Sequence, residues 1–405
     1  MSRLCLMLSL VLAAGTSLPA ADWRQFRGND ATGVVDDQTV PTSWTETENR
    51  AWAAELPGRG LSGPIIVGKK VFLTASSGFS QDRLHVLCLD ADTGAKLWHR
   101  QFTAMGRTMC HNKMCVATPT PCSDGKRVFA FFSSNDVICL DLEGNLQWLR
   151  ALTLDYPNAS NSLGMSSSPL VLGNTLVLQV ENDSESFACG LDVDTGLNRW
   201  KHDRPVAANW TSPSIFSKAG SSDDDQLVLL QSSRGLTAIR PYSGTTVWNY
   251  GTGCSTIPST VAVKETVYVP SNGLTALTPE EGASAPKVKW NVGRLGPGTP
   301  SPIVVGDYVY VVNNAGVLNG ANIQTGEATI QLRLPGSGAF SSTPIAANGN
   351  IYLFREGGMG IVVQGGDKPK VESSFDLKET ILCTPAIADG GLYVRSDQHL
   401  WKIAK

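Results

Sequence analysis

Cysteine and histidine at short spacing can hold a metal or close a disulfide. Cys110-His111-x-x-x-Cys115 is the one such cluster in this sequence. Zinc needs four ligands of this kind, so a fourth, such as Cys254 or Cys383, would have to come from a distant segment. No metal site is assigned on this basis, and Cys110 and Cys115 are read as a disulfide or as two free thiols. Other arrangements fall short of their chemistry. Gly63-Pro-Ile-Ile-Val-Gly68-Lys69-Lys70 has the spacing of a phosphate loop but puts Lys70 where a hydroxyl belongs. Asp90-x-Asp92-x-Gly94 is too short for a calcium loop. There is no Gly-x-Ser-x-Gly elbow, no His-Glu-x-x-His and no Cys-x-x-Cys-His. No catalytic residue is assigned.

What the chain does contain is a repeat. A Ser/Thr-Pro anchor recurs at Pro64, Pro121, Pro169, Pro213, Pro302, Pro344 and Pro385, with Thr260 fitting as one more, at steps of 41–57 residues. After each anchor come an apolar run, a Gly or Asp turn, and a second apolar run, which reads as a hairpin. A third strand ends in Asp-x-x-Thr-Gly, clearest at Asp90–Gly94 and Asp192–Gly196, where Gly supplies a positive φ. A fourth carries Trp98, Trp148, Trp200 or Trp248.

Four short antiparallel strands per repeat make the blade of a β-propeller. Pro suits the innermost strand because that strand has a free edge. The Trp ring on the outer strand suits the wedge between blades. The last unit is one strand short, and Arg50–Leu56, with Trp52 in the docking position, supplies it. The expected fold is therefore all-β: an eight-bladed propeller of four-stranded antiparallel blades, its ring closed by an N-terminal strand. The divisions are a signal peptide at 1–20, an N-terminal extension at 21–49 and the propeller at 50–405.

The sequence has 405 residues, 42% hydrophobic and 17% charged, and a net charge of −3. That balance gives no reason to expect nucleic acid as partner. Arg3, the apolar run Leu4–Ala14 and Leu18-Pro19-Ala20 read as an export signal. It is too short for a transmembrane segment, and Cys5 lies too early for a lipoprotein signal. A periplasmic or secreted monomer is expected. Cys88, Cys139 and Cys189 fall on apolar strand positions and read as small core residues.

On a propeller, the loops leading into the inner strands open on one axial face, and loops on a rigid scaffold carry function. Two are long here, Thr103–Ala117 and Ala151–Ser166. The candidate binding residues on this face are Arg107, His111, Asn161, Met165, Glu181, Asn182, Asn209, Trp210, Arg234 and Arg294. They would take a protein, a glycan or a small ligand.

The Asp-x-x-Thr-Gly-x-x-x-Trp turn resembles the tryptophan-docking motif of pyrroloquinoline-quinone-like (PQQ-like) propeller repeats, and the resemblance runs from about Trp52 to Lys405. Asp22-Trp-Arg-Gln-Phe-Arg-Gly28 is similar to the start of exported bacterial propellers of this type. One branch of the family, the quinoprotein dehydrogenases, implies PQQ and calcium on the axial face, with a catalytic Asp, a stacking Trp and usually a vicinal disulfide. No adjacent cysteines occur here. The other branch is non-catalytic and works by binding partners. The expectation is an exported interaction scaffold with no cofactor; the alternative is a PQQ-dependent oxidoreductase.

Overall fold

Each anchor opens the same four-strand series. In blade 1 the strands are Ile65–Val67, Lys70–Ser77, Arg83–Asp90 and Lys96–Thr103, paired antiparallel in sequence order. The first three are buried along nearly their whole length, and the fourth is partly exposed. This follows from position: the inner strands lie between two neighbouring blades, while the outer one meets solvent. Eight such sheets make up the molecule, an eight-bladed β-propeller. The computed structural model describes residues 22–218 and 225–405. The export signal expected at 1–20 lies outside them.

The recurring turn is built by its own side chains. Asp90 Oδ1 accepts from the N–H of Asp92 and Thr93 and from the Thr93 hydroxyl, and Thr93 Oγ1 accepts from Ala95 N–H. Gly94 then takes φ of +72°. Asp192 and Thr195 repeat the arrangement. It is the side-chain mimicry of a backbone turn that favours Asp at this position.

The Trp of one blade docks on the turn of the next. Trp52, Trp98, Trp148 and Trp200 donate their indole N–H to Ala91 O, Leu142 O, Val193 O and Pro241 O, at 2.8–3.1 Å. Each ring lies flat against the turn glycine of that next blade: a Cβ on Gly94, Gly144, Gly196 or Gly244 would come within 2.6–2.7 Å or 2.8 Å of it. Trp290, which the sequence reading passed over, docks in the same way on Ile323 O and Gly326. Trp248 departs from the expectation. It is buried against blade 5, but its indole nitrogen has no partner. The turn of blade 5 differs here: it is longer, running from Pro279 to Pro286, and its Ser284 O accepts from Asn249 N–H beside the Trp.

Closure joins an early strand to the last one. Arg50–Glu55 pairs antiparallel with His399–Ile403 and completes blade 8. Arg395 of blade 8 reaches across the same seam to Ser62 O and Thr74 O of blade 1. Residues 23–35 run along the inner strands, and residues 38–44 then pass over the turns of blades 7 and 8 to the outer strand of blade 7. Trp23 exchanges two hydrogen bonds with Ile66 of blade 1, Arg24 O accepts from Ser123 of blade 2, and Gly33 O accepts from Ala346 of blade 7. Val34–Val35 adds a fifth, parallel strand to blade 7. The segment therefore satisfies backbone groups on inner-strand edges that would otherwise face an open channel.

Trp200→Ala is expected to cost about 3–5 kcal/mol in urea unfolding. Gly244→Ala should also destabilise, because its Cβ would meet Trp200 Cγ at 2.6 Å with φ held at +71°. Losses under about 1 kcal/mol for both would show that the docked ring does not hold this seam.

Candidate functional site

The loops leading into the inner strands converge on the axis at one face. Side chains alternate along extended backbone, so the residues one and three positions before each anchor point the same way. The nearer set, in blade order, is Gly63, Thr120, Ser168, Ser212, Ser259, Ser301, Thr343 and Thr384. Each backbone N–H from Gly63 to Thr343 donates to the hydroxyl of the next blade, at 2.9–3.2 Å. This explains the Ser or Thr of the anchor: its hydroxyl ties blade to blade around the axis. The ring is interrupted once, at Gly63, where a Cβ would stand 2.6 Å from Thr384 O.

The farther set forms the wall of a funnel: Leu61, Thr118, Ser166, Trp210, Ile257, Thr299, Ser341 and Leu382. The apolar pair Leu382 and Leu61 lies opposite the apolar pair Trp210 and Ile257, with hydroxyl pairs between. His111, Lys113, Met114 and Leu163 complete a cavity of about 440 Å³. Beneath it, the hydroxyl ring and Phe26 line a throat of about 110 Å³.

The loop Thr103–Ala117 spans part of the mouth. Arg59 donates to Met114 O and Asn112 O, and Lys113 Nζ meets Glu356 of blade 7 at 2.9 and 3.0 Å. Glu356 also accepts from Ser341 Oγ at 2.7 Å. His111 N–H donates to Leu163 O, which joins the two long loops.

The structure divides the ten candidate residues. His111 and Trp210 line the funnel; the Trp210 ring is fixed by its N–H bond to Gly164 O. Arg107 is exposed and bonded to Ser160 Oγ, while Arg234 and Arg294 are exposed on other loops of this face. Asn161, Met165, Glu181, Asn182 and Asn209 are buried and present nothing to a ligand on the face, which corrects the sequence reading. Glu181 sits against Arg204 at 2.6 Å and accepts from Gln179 and Asn209. Burial raises its carboxyl above the ordinary range, with Arg204 pulling the other way. Gln179 and Asn209 also donate to Gln231 O, so the cluster joins blade 3 to blade 4. Asn161 donates to Ser133 O and Asn135 Oδ1, and Asn182 to Glu185 O. Their amide N–H groups are taken up by nearby backbone and side-chain oxygens, while Asn161 Oδ1 is buried without a partner. Cys110 and Cys115 are separate thiols. Cys115 is fully buried, and Cys110 Sγ faces Thr108 O and Ser133 Oγ. Desolvation pushes the Cys110 thiol up to about 11, away from reactivity.

One arrangement resembles a nucleophile and its base. Ser77 Oγ lies 2.7 Å from His85 Nε2, and His85 Nδ1 lies 2.9 Å from His99 Nε2. These residues line neither cavity of the funnel. Burial, then His99 and Arg83, lower His85 to about 4, too weak a base near neutrality. Because its folded value lies below the unfolded one of about 6.5, the unfolded chain takes up the proton first. Stability should therefore fall as pH drops from about 6.5 and level off near 4. Urea midpoints measured across that range should show the loss, and His85→Gln should reduce it. An unchanged profile in the variant would assign the loss to other groups.

A PQQ cofactor is a flat tricarboxylate and would need cations for its acid groups and carboxylates for calcium. The funnel wall carries one permanently charged side chain, Lys113, and Glu356 already occupies it. Among the described residues no three His, Cys, Asp or Glu side chains come together to hold a metal ion. Trp210 offers a stacking face, but the remaining residues do not fit the quinone and its calcium.

Residues 24–250 and 250–365 match the protein family described as outer membrane protein assembly factor BamB. No curated protein matches the sequence. Solved structures share the fold at low identity. BamB from Moraxella catarrhalis is 14% identical with a TM-score of 0.61, over 87% of this chain and 96% of that one. The quinohemoprotein alcohol dehydrogenase from Comamonas testosteroni is 10% identical with a TM-score of 0.70, over 95% and 81%. A europium-containing methanol dehydrogenase is 14% identical with a TM-score of 0.69, over 92% and 89%. At these identities the likeness shows the fold and not the activity. The family match spans most of the ring, and the chain belongs to the BamB family of PQQ-like β-propeller repeat proteins.

Proposed function

We propose that this chain is an exported interaction scaffold that receives an apolar side chain of a protein partner in the axial funnel and performs no chemistry. The observation that carries this reading is the funnel wall itself, which is largely apolar, nearly uncharged and open to solvent. The large apolar side chains exposed on that face support it: Phe79, Met105, Met109, Leu163, Val206 and Ile257 lie on its loops. Unbranched Met side chains adapt to a partner's shape, and a pocket for an apolar anchor is the usual centre of a protein interface. Family membership supports the same reading, since the family is described by an assembly factor. Export rests on the reading of residues 1–20. No helix among the described residues is long and apolar enough to cross a membrane.

Ile257 is 46% exposed, so Ile257→Asp should leave folding intact. It should weaken partner binding by about 2 kcal/mol, roughly thirtyfold. A photo-crosslinking residue placed at Leu163 in living cells should give a discrete protein adduct that Ile257→Asp abolishes, while one at Leu97, beside the turn on the opposite face, should give none. Adducts of equal yield from both positions would remove the funnel as the docking site. Calorimetric titration with PQQ and Ca²⁺ should show no heat, whereas one-to-one micromolar binding would reinstate the oxidoreductase.

A further inference from the structure

The throat beneath the funnel is lined by the hydroxyl ring together with Phe26 and the funnel residues, among them the apolar Leu61, Trp210, Ile257 and Leu382. Each of the seven hydroxyl oxygens of the ring accepts a backbone N–H from the preceding blade. A hydroxyl has one hydrogen to give as well. Among the described residues, none of the seven donates it to a protein atom. All seven are only 3–8% exposed, and all line the same 110 Å³ space.

The N-terminal segment places a charge beside this ring. Phe26 lines the throat, and the Arg27 guanidinium lies 5.3 Å from the Phe26 ring centroid. Arg27 is 1% exposed. Its Nη2 donates to Thr260 O, next to the throat residue Ser259, while Nε and Nη1 have no partner. Burial draws its pKa down to about 9, which leaves it charged at neutral pH. An unpaired buried cation and an arc of seven unused O–H donors, open only at Gly63, are both costly unless a negative group answers them.

We propose that the throat is a binding site for one small anion, a halide or a single carboxylate group, held by the hydroxyl ring and by the field of Arg27. The anion would touch several blades at once, so its binding would brace the ring and raise stability with concentration. A free halide and the carboxylate of a larger molecule present the same chemistry, and bromide and formate distinguish them.

The test uses the whole folded protein. Melting temperature should rise saturably in sodium bromide relative to sodium gluconate, whose anion is too large for the throat, at matched ionic strength. Formate acting alongside bromide would mark a site that also accepts carboxylates. Arg27→Met should weaken the bromide dependence at least tenfold. Crystals soaked in bromide should show an anomalous peak on the axis within hydrogen-bonding reach of Ser259 and Thr343. The crystal experiment needs no variant, so it decides the matter even where Arg27→Met fails to fold. An axial throat free of bromide signal overturns the proposal, whatever the melting temperature does.

Discussion

The structure depends on the seams between blades. A four-stranded blade has two apolar faces and can bury them only against its neighbours, so no blade is complete alone. The fastenings lie at two radii, and four of the eight seams carry both. Near the axis a Ser or Thr hydroxyl accepts the N–H of the adjoining blade. Near the rim a Trp indole donates to the next turn. The seam between blades 8 and 1 lacks the hydroxyl, since Gly63 stands there, and gains Arg395, Trp52 and the strand Arg50–Glu55 instead. Where a docking Trp is missing on blade 7, Trp44 from the N-terminal segment fills the gap against Phe354 and Phe375.

The same repetition makes the candidate site. Alternation along the loop before each anchor turns one residue of every blade toward the throat and another toward the funnel. The throat position is constrained by the ring of hydrogen bonds, and seven of eight blades use Ser or Thr. The funnel position carries no such bond and varies from Leu to Thr to Trp. Binding chemistry can therefore change at the funnel while the scaffold stays fixed, which is how one fold comes to host unrelated functions.

That separation gives meaning to the structural likenesses. The ring resembles both BamB and a quinohemoprotein alcohol dehydrogenase at 10–14% identity, a likeness of fold. In this chain the wall alternates apolar and hydroxyl pairs and is nearly uncharged, and the polar loop residues Glu181 and Asn209 are spent joining blade 3 to blade 4.

The sequence by itself determined the blade count, the strand order, the Asp-x-x-Thr-Gly turns and the closing strand. These follow from contacts a few residues apart, repeated at a fixed period, and such contacts are legible in one dimension. The funnel set was legible in principle, three residues before each anchor, but nothing local marks it because its members share no chemistry. Only the tertiary structure decided which polar residues face a ligand and which face a neighbour. It also decided that residues 23–35 lie along the inner strands and that the Trp248 indole makes no docking bond. Lys113 meets Glu356 across 243 positions and Arg27 meets Thr260 across 233. Whether a side chain is spent or available depends on partners at that distance, and no period in the sequence encodes them.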